Sequence, residues 1–338
     1  MKKYNNTLIV ISLVLVYLVI SAGAVVRMTG SGMGCPDWPK CFGYLIPPTE
    51  RSELDWKPNH DYLEGEVIIV KESLRVAIQD FNSQNQYLIE NWEVYTKHDY
   101  AFFNAKHTWI EFINRLLGAI TGLATLFLFI NSLVRLKNDF WAALGSFLIV
   151  LGMGFQGWLG KTVVDSNLLP YKITIHMIMA LLIVLLLIIL LAREKEPVKG
   201  LSSISQTKWL VAISLVLTLF QIGMGTQIRQ FVDMQMHTFN LSNASKWLNN
   251  PPTLFYVHRS FSIVVLLVNG YLGYLLYKNN QIPTVFRVVI IILAIEILTG
   301  IWMYYFDFPF SSQPLHLVLA ALLFGAQSYF MLILKKQI

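Results

Sequence analysis

The amino-acid sequence predicts an all-α integral membrane protein with eight transmembrane helices. Its 338 residues are 55% hydrophobic and only 14% charged, whereas about a quarter of the residues in a soluble domain are charged. A helix that crosses a hydrocarbon core of about 30 Å needs roughly 20 mostly apolar residues. Runs of about that length cover residues 7–27, 105–134, 140–160, 171–192, 208–228, 254–277, 286–305 and 314–334.

The distribution of basic residues predicts the orientation. Lysine and arginine concentrate at alternate helix ends, and the positive-inside rule then places both termini in the cytoplasm. We interpret the membrane as a bacterial plasma membrane. The net charge of +6 reflects this asymmetry and does not indicate nucleic-acid binding. The basic residues on the predicted inner side are Lys2, Lys3, Arg135, Lys137, Arg193, Lys195, Lys199, Lys208, Lys278, Arg287, Lys335 and Lys336.

A long segment, residues 28–104, separates helices 1 and 2 and is predicted to lie outside. Its basic residues do not oppose this orientation, because long loops translocate largely regardless of charge. Residues 45–104 are polar and mixed in charge. We expect them to form a loop with a short surface helix around 62–80, serving as a lid or a docking surface.

The only two cysteines, Cys35 and Cys41, lie at the start of this segment. Two cysteines without further ligands do not resemble a zinc site. Pro36 and Pro39 favour a tight turn that brings the sulfur atoms within bonding range. A disulfide is therefore predicted, as is common outside the cytoplasm.

Helices 1–4 and helices 5–8 carry matching polar residues in the same order, which indicates an internal duplication. The predicted repeats are residues 1–192 and 208–338. The distance from Gln156 to His176 equals the distance from Glu296 to His316, at 20 residues. The matching pairs are Arg27 and Arg229, Asn114 and His258, Arg115 and Arg259, Gln156 and Glu296, Gly160 and Gly300, and His176 and His316.

Helix 1 follows Lys2 and Lys3, an order that also suits a cleaved signal peptide. Because Arg27 belongs to the repeat, we interpret helix 1 as a retained part of the fold.

Three histidines are predicted at matched depth within the membrane. At about 1.5 Å per residue, His176, His258 and His316 lie roughly 25–30 Å from the inner ends of their helices. His107 lies about 42 Å out, at or beyond the outer interface. One such histidine could merely bond a neighbouring helix. Three at one depth favour a functional site.

His258 and His316 meet the requirement for two axial imidazoles on one heme iron, which facing helices can supply. Arg229 and Arg259 lie toward the outer, wet end of their helices, where guanidinium groups can pair with heme propionates. Each arginine by itself could equally mark a helix end. We predict heme iron and no other metal.

The first repeat differs at the position that corresponds to His258. It has His176, Arg27 and Arg115, but Asn114 stands where the second repeat has a histidine. Glu111 and Asn114 are three residues apart and share a helix face. A buried carboxylate beside an iron site is costly unless it is used, which suggests a role in proton transfer.

These stretches resemble the heme A synthase family. The similar residues are 23–27, 29–41, 111–115 and 156–160, together with the histidines of helices 4, 6 and 8. The resemblance implies oxidation of a methyl group of heme O to the formyl group of heme A. It also implies a heme b cofactor in the second repeat, the substrate in the first repeat and participation of Glu111. Heme O synthase, the cytochrome oxidase assembly pathway and an electron acceptor are the implied partners.

One position departs from the family pattern, because Asn114 replaces a histidine. Two arrangements of the substrate iron follow. Either His176 binds it with an open or weak sixth position, or His107 reaches it through a tilt or break in helix 2. The depth estimate favours the first.

Two other functions are compatible with intramembrane histidines. A cytochrome b type electron carrier needs hemes near both faces, whereas every candidate ligand here lies in the outer half. A heme carrier or assembly chaperone without enzymatic activity would explain the histidines and arginines but not Glu111.

Overall fold

The protein is described by a computed structural model over residues 2–96, 103–166, 168–193, 204–239 and 241–334. Eight helices in this part of the chain are long and apolar enough to cross a membrane, which confirms the predicted fold class. Lys195, Lys199, Lys335 and Lys336, which contribute to the predicted orientation, lie outside the described residues. The helices are α1 Lys2–Met28, α2 Ala105–Leu133, α3 Phe140–Asp165, α4 Pro170–Arg193, α5 Ile204–Phe239, α6 Thr253–Lys278, α7 Thr284–Tyr305 and α8 Ser312–Ile333.

Proline marks three of the helix starts. Pro170 is the first residue of α4, while Pro252 and Pro283 immediately precede α6 and α7. Proline suits these positions because its missing N–H group would find no partner in the first helical turn. The largest difference from the predicted bounds concerns α5, which continues beyond residue 228 to Phe239. The apolar run ends before the charged residues Arg229 and Asp233, but the helix continues past them.

The segment between α1 and α2 forms small antiparallel sheets, so the expected surface helix around 62–80 is wrong. Its strands are β1 Asp61–Tyr62, β2 Val67–Val70, β3 Ser73–Ala77, β4 Phe81–Asn82 and β5 Trp92–Val94. Strand β1 pairs with β4, and β3 lies between β2 and β5.

The turn between β2 and β3 explains the error. Lys71 and Glu72 have φ values of 50° and 57°, the left-handed backbone of a two-residue hairpin turn. Neither residue is the glycine or asparagine that usually signals such a turn. In β2, Val67 and Ile69 pack in one hydrophobic cluster and Ile68 packs in another. Because both faces of the strand are buried, the sequence lacks the polar alternation of a surface strand.

The chain divides into two compact units. The core unit comprises Met1–Ala24, Ile120–Gly154 and Met177–Ile338. The loop unit comprises Val25–Ala119 and Phe155–His176. Each unit contains one of the predicted histidine sites.

The core unit is a helix bundle held by apolar packing. Helix α5 packs against α6 and α8, and α7 packs against α8. A buried polar cluster joins three of these helices. The Nε2 group of Gln327 donates to Oγ of Ser214 at 2.9 Å, and Ser214 bonds the side chain of Asn269. Such bonds between transmembrane helices contribute about 0.6 kcal/mol each on average, so they align the helices more than they stabilise them.

Candidate functional site

The core unit brings together the two histidines of the predicted second repeat. His258 lies in the second turn of α6 and His316 in the second turn of α8, close enough to interact electrostatically. Each ring lies against a glycine. The Cε1 atom of His258 is 3.5 Å from the Cβ position of Gly225, and that of His316 is 3.5 Å from the Cβ position of Gly300. A Cβ atom at either glycine would be in ordinary van der Waals contact with the imidazole, so only a side chain longer than that of alanine would press on the ring.

Hydrogen bonds orient these rings differently. The Nδ1 atom of His316 is 2.9 Å from the hydroxyl of Thr299 and 3.4 Å from a carboxyl oxygen of Glu296. The backbone carbonyl of His258 accepts a bond from Nε2 of Gln221 at 3.1 Å. Within the described residues, Nδ1 of His258 is buried without a hydrogen-bond partner. Nε2 of His316 is thus the nitrogen presented for a ligand.

The arginines of the predicted second repeat have protein partners. Arg229 forms an ion pair with Asp233 at 2.8 Å and bonds the side chain of Gln313. Arg259 is exposed, with its guanidinium carbon 5.6 Å from the ring centroid of Tyr256. Arg259 therefore retains donors for an acidic ligand group, while Arg229 is largely committed to its neighbours.

The loop unit contains Glu111, which the structure ties to the segment that follows α1. Glu111 is 3% exposed. One carboxyl oxygen accepts the backbone N–H of Cys35 at 2.9 Å, and the other is 2.5 Å from a guanidinium nitrogen of Arg115. Both oxygens of the carboxylate are thus engaged, as a buried charge requires.

Arg115 binds the backbone of the same segment. Its guanidinium donates to the carbonyl oxygens of Asp37 at 2.6 Å, Lys40 at 3.0 Å and Cys35 at 3.3 Å. With the bond to Glu111, these contacts account for the burial of Arg115 without a propionate partner. The two residues, one helical turn apart on α2, form what we call the clamp.

Asp37 links two parts of the segment through hydrogen bonds. Its carboxylate accepts the backbone N–H groups of Phe42 at 2.5 Å and Gly43 at 2.8 Å. Burial raises the pKa of the Asp37 carboxyl, and the two N–H groups and the Arg115 guanidinium oppose this rise. The segment is therefore fixed by acidic side chains at both ends.

Cys35 and Cys41 form a disulfide, which confirms the predicted pairing. Both are buried, with exposed fractions of 0% and 1%. The hydroxyl of Thr108 donates to the carbonyl of Gly34 at 2.8 Å. A Cβ atom at Gly34 would lie 2.5 Å from the backbone of His107. We call residues 34–43 the disulfide segment. Glycine at position 34 thus allows this segment to lie directly on the first turns of α2.

The loop unit also contains His176, in the second turn of α4. Its Cε1 atom is 3.5 Å from the Cβ position of Gly160, and its carbonyl accepts a bond from Nε2 of Gln156 at 3.1 Å. Among the described residues, Nδ1 of His176 is buried without a hydrogen-bond partner, and so is Oδ1 of Asn114 on α2. An unpartnered polar atom inside a membrane protein calls for a ligand or water beside it.

His107 and Arg27 lie at helix ends. His107 is in the first turn of α2, and its backbone N–H donates to the side-chain oxygen of Asn104 at 3.2 Å. Asn114 follows about two turns further along the same helix. Arg27 is in the last turn of α1.

The residues that surround each histidine ring form what we call its seat, and the three seats share a pattern. The sequence pairs Gln156 with Glu296 and Gly160 with Gly300, but it does not show that the same pattern recurs on α5 or that it surrounds a histidine. Each ring or its backbone is contacted by a glutamine or glutamate, and the glycine four residues later lies beside the ring. The four-residue spacing places both on one helix face. The pairs are Gln156 and Gly160 on α3, Gln221 and Gly225 on α5, and Glu296 and Gly300 on α7. No sequence pattern indicates Thr299.

The fold and the sites define a polytopic membrane protein with histidines seated near the ends of its transmembrane helices. The chain belongs to the COX15-CtaA family, described as cytochrome oxidase assembly protein, whose model matches residues 6–64 and 55–328. It is similar to the heme A synthase of Wolbachia pipientis wMel, at 25% identity over 96% of this chain and 91% of the relative. The heme A synthase of Rickettsia prowazekii is 26% identical over 93% and 92%, respectively. That of Flavobacterium johnsoniae is 22% identical over 97% and 98%.

The clamp predicts how the disulfide responds to a reductant. Arg115→Met removes the bonds to three carbonyls and leaves the Glu111 carboxylate buried and unpaired, which costs about 3–5 kcal/mol. We expect a membrane-impermeant phosphine to reduce Cys35–Cys41 much faster in this variant than in the unmodified protein, as measured by mass spectrometry after thiol labelling. Arg51→Met is the control, because Arg51 pairs with Asp55 only at the surface, where a pair is worth at most about 1 kcal/mol. Equal reduction rates in the two variants would contradict the clamp.

Proposed function

We propose that this protein is a heme A synthase, which oxidises a methyl group of heme O to the formyl group of heme A in the membrane. One observation carries this proposal. The similarity to relatives named heme A synthase extends over 93–97% of the chain, so it includes both histidine sites and the clamp. The reaction removes hydrogen from a carbon and adds oxygen to it, so it needs an electron acceptor and a path for protons.

We propose His258 and His316 as the axial ligands of a heme b cofactor. The seats fit such a group, because glycines leave room beside both rings and Nδ1 of His316 is occupied on the side away from a ligand. A bound heme supplies one-electron redox chemistry to the site. Arg259, and more weakly Arg229, would hold its propionates.

We propose the loop unit as the site of the heme O substrate. His176 is the proposed iron ligand. The side-chain oxygen of Asn114, like Nδ1 of His176, has no hydrogen-bond partner among the described residues, so a bound substrate could supply one. His107 remains the second candidate ligand. It lies about 10 Å along α2 from Asn114, and its helix end is covered by the disulfide segment, so we favour His176 with an open or weak sixth position.

The surroundings of His176 and His316 also support the duplication into residues 1–192 and 208–338. Gly160 lies beside His176 as Gly300 lies beside His316, each with its Cβ position 3.5 Å from Cε1 of the ring, at matching positions of the two predicted repeats. We further propose cytoplasmic termini in a bacterial plasma membrane, so that the disulfide segment faces outward. Heme O synthase, the cytochrome oxidase assembly pathway and an electron acceptor are the proposed partners.

Pigment analysis of the purified protein tests the proposed reaction against its rivals. We expect heme A or a partly oxidised precursor together with heme b, because an enzyme retains product and cofactor. A cytochrome b type carrier or a heme carrier would yield heme b alone, and that result would overturn the proposal.

The axial ligands are tested separately. His258→Ala and His316→Ala each remove one of two nitrogens from the same iron, so we expect both variants to lose the low-spin absorption spectrum. His60→Ala, a change in the segment between α1 and α2, is the control and should keep it. A normal low-spin spectrum in both His258 and His316 variants would refute the assignment.

Glu111 is tested by Glu111→Gln, which preserves an acceptor for the Cys35 N–H but removes the charge. If Glu111 acts in catalysis as an acid or base, the variant should fold, bind heme b and accumulate heme O or a partly oxidised intermediate. If its role is only to pair with Arg115, the variant leaves a buried positive charge, which costs about 3–5 kcal/mol.

The double variant Glu111→Gln, Arg115→Gln separates these outcomes, because it removes the stranded charge. A folded double variant that makes heme A at the normal rate would show that Glu111 is structural. A folded double variant that accumulates heme O would support catalysis.

A further inference from the structure

We infer that Thr299 is a positioning residue that, together with Glu296, fixes the proton of His316 on Nδ1 and so presents Nε2 to the iron. This inference rests on the proposed heme b site. It concerns the state of the imidazole before any metal arrives. The two residues act through His316 and need not touch the heme.

The hydrogen bond that the hydroxyl of Thr299 makes to the backbone sets the direction of its bond with His316. A hydroxyl has one proton to donate and two lone pairs to accept with. Thr299 donates that proton to the backbone carbonyl of Glu296 at 2.8 Å. Its contact of 2.9 Å with Nδ1 of His316 must then run the other way, with the imidazole N–H donating. A neutral imidazole that carries its proton on Nδ1 has its free lone pair on Nε2.

Glu296 adds a second acceptor on the same side of the ring. Its carboxyl oxygen lies 3.4 Å from Nδ1 of His316, close enough to favour a proton there but longer than a good hydrogen bond. Thr299 is 4% exposed, and the carboxyl is largely buried, so water competes little for either contact. An ionised Glu296 can only accept, so in that state it favours the same tautomer as Thr299.

The other two histidine seats lack this arrangement. In the described residues, Nδ1 of His258 and Nδ1 of His176 are buried without hydrogen-bond partners. Their glutamines, Gln221 and Gln156, bond the histidine backbone instead of the ring. His316 is therefore the preorganised ligand, whereas no partner among the described residues fixes the tautomer of the other two rings.

Partners on the outer nitrogen of a ligating histidine fix its tautomer and raise its basicity, and losing them costs about 10–100-fold in metal affinity. We therefore expect His316 to be the stronger anchor of the cofactor. A more basic ligand also favours ferric over ferrous iron. Each tenfold change in that preference corresponds to 59 mV in the reduction potential.

The experiment compares Thr299→Val, Thr299→Ser and Glu296→Gln in the full-length protein. Thr125→Val is the matched control, because Thr125 is also buried in a membrane helix and bonds the carbonyl three residues earlier, at 2.9 Å. Nitrogen-15 NMR of histidine-labelled protein from a heme-deficient host reports the tautomer without any cofactor. Hemin titration and potentiometry report affinity and potential.

We expect the Nδ1–H tautomer at His316 in the unmodified protein. Thr299→Val should lose it partly, weaken hemin binding about 10–100-fold and shift the reduction potential upward, as should Glu296→Gln. Thr299→Ser should restore all three properties, and Thr125→Val should change none.

An Nε2–H tautomer in the unmodified protein would overturn the inference, as would a Thr299→Val variant that behaves like Thr125→Val. If the unmodified protein shows the Nδ1–H tautomer but binds no hemin, the inference on the ring is supported and the proposed heme b site fails.

Discussion

The hydrocarbon core of the membrane is the constraint on which the rest of this structure depends. No water is available there to satisfy polar groups, so every backbone bond must be closed within a helix and every polar side chain needs a specific partner. The eight apolar helices meet the first requirement. The buried cluster of Ser214, Asn269 and Gln327 meets the second. Polar atoms of Asn114, His176 and His258 have no hydrogen-bond partner among the described residues. They are informative, because the same constraint makes them costly unless a ligand satisfies them.

This constraint also explains what the sequence could predict. Spans are recognisable because length and hydropathy must match the membrane, and the positions of His176, His258 and His316 follow once the spans are known. The segment between α1 and α2 escapes the constraint. There, β2 is buried on both faces and its hairpin turn uses Lys71 and Glu72, so neither alternation nor turn residues indicate a strand. The contacts of Arg115 with three backbone carbonyls could not be predicted either, because every residue has such a carbonyl and no residue type marks the ones that are bound.

The three histidine seats share one arrangement of residues, and a single substitution within it changes how the imidazole is held. A glycine beside the ring and an acidic or amide residue four positions earlier recur on α3, α5 and α7. Where that residue is Gln156 or Gln221, its amide bonds the histidine backbone, and Nδ1 has no partner in the part of the chain that the structure describes. Where it is Glu296, a carboxyl without N–H donors cannot bond a carbonyl in this way and faces the ring instead. A change from amide to carboxylate thus converts a seat that holds the helix into one that orients the imidazole.

Glu111 combines two demands that usually belong to different residues. Its carboxylate holds the N–H of Cys35 and the guanidinium of Arg115, which keeps the disulfide segment on α2. The same contacts stabilise its charged form in a buried position. If the proposed substrate binds beside Asn114, one turn further along α2, a proton taken up by Glu111 would weaken the pair with Arg115 and loosen the segment above it. Proton transfer at the site would then be coupled to the mobility of the disulfide segment, which gives a physical reason for an enzyme to place its proton acceptor in the clamp.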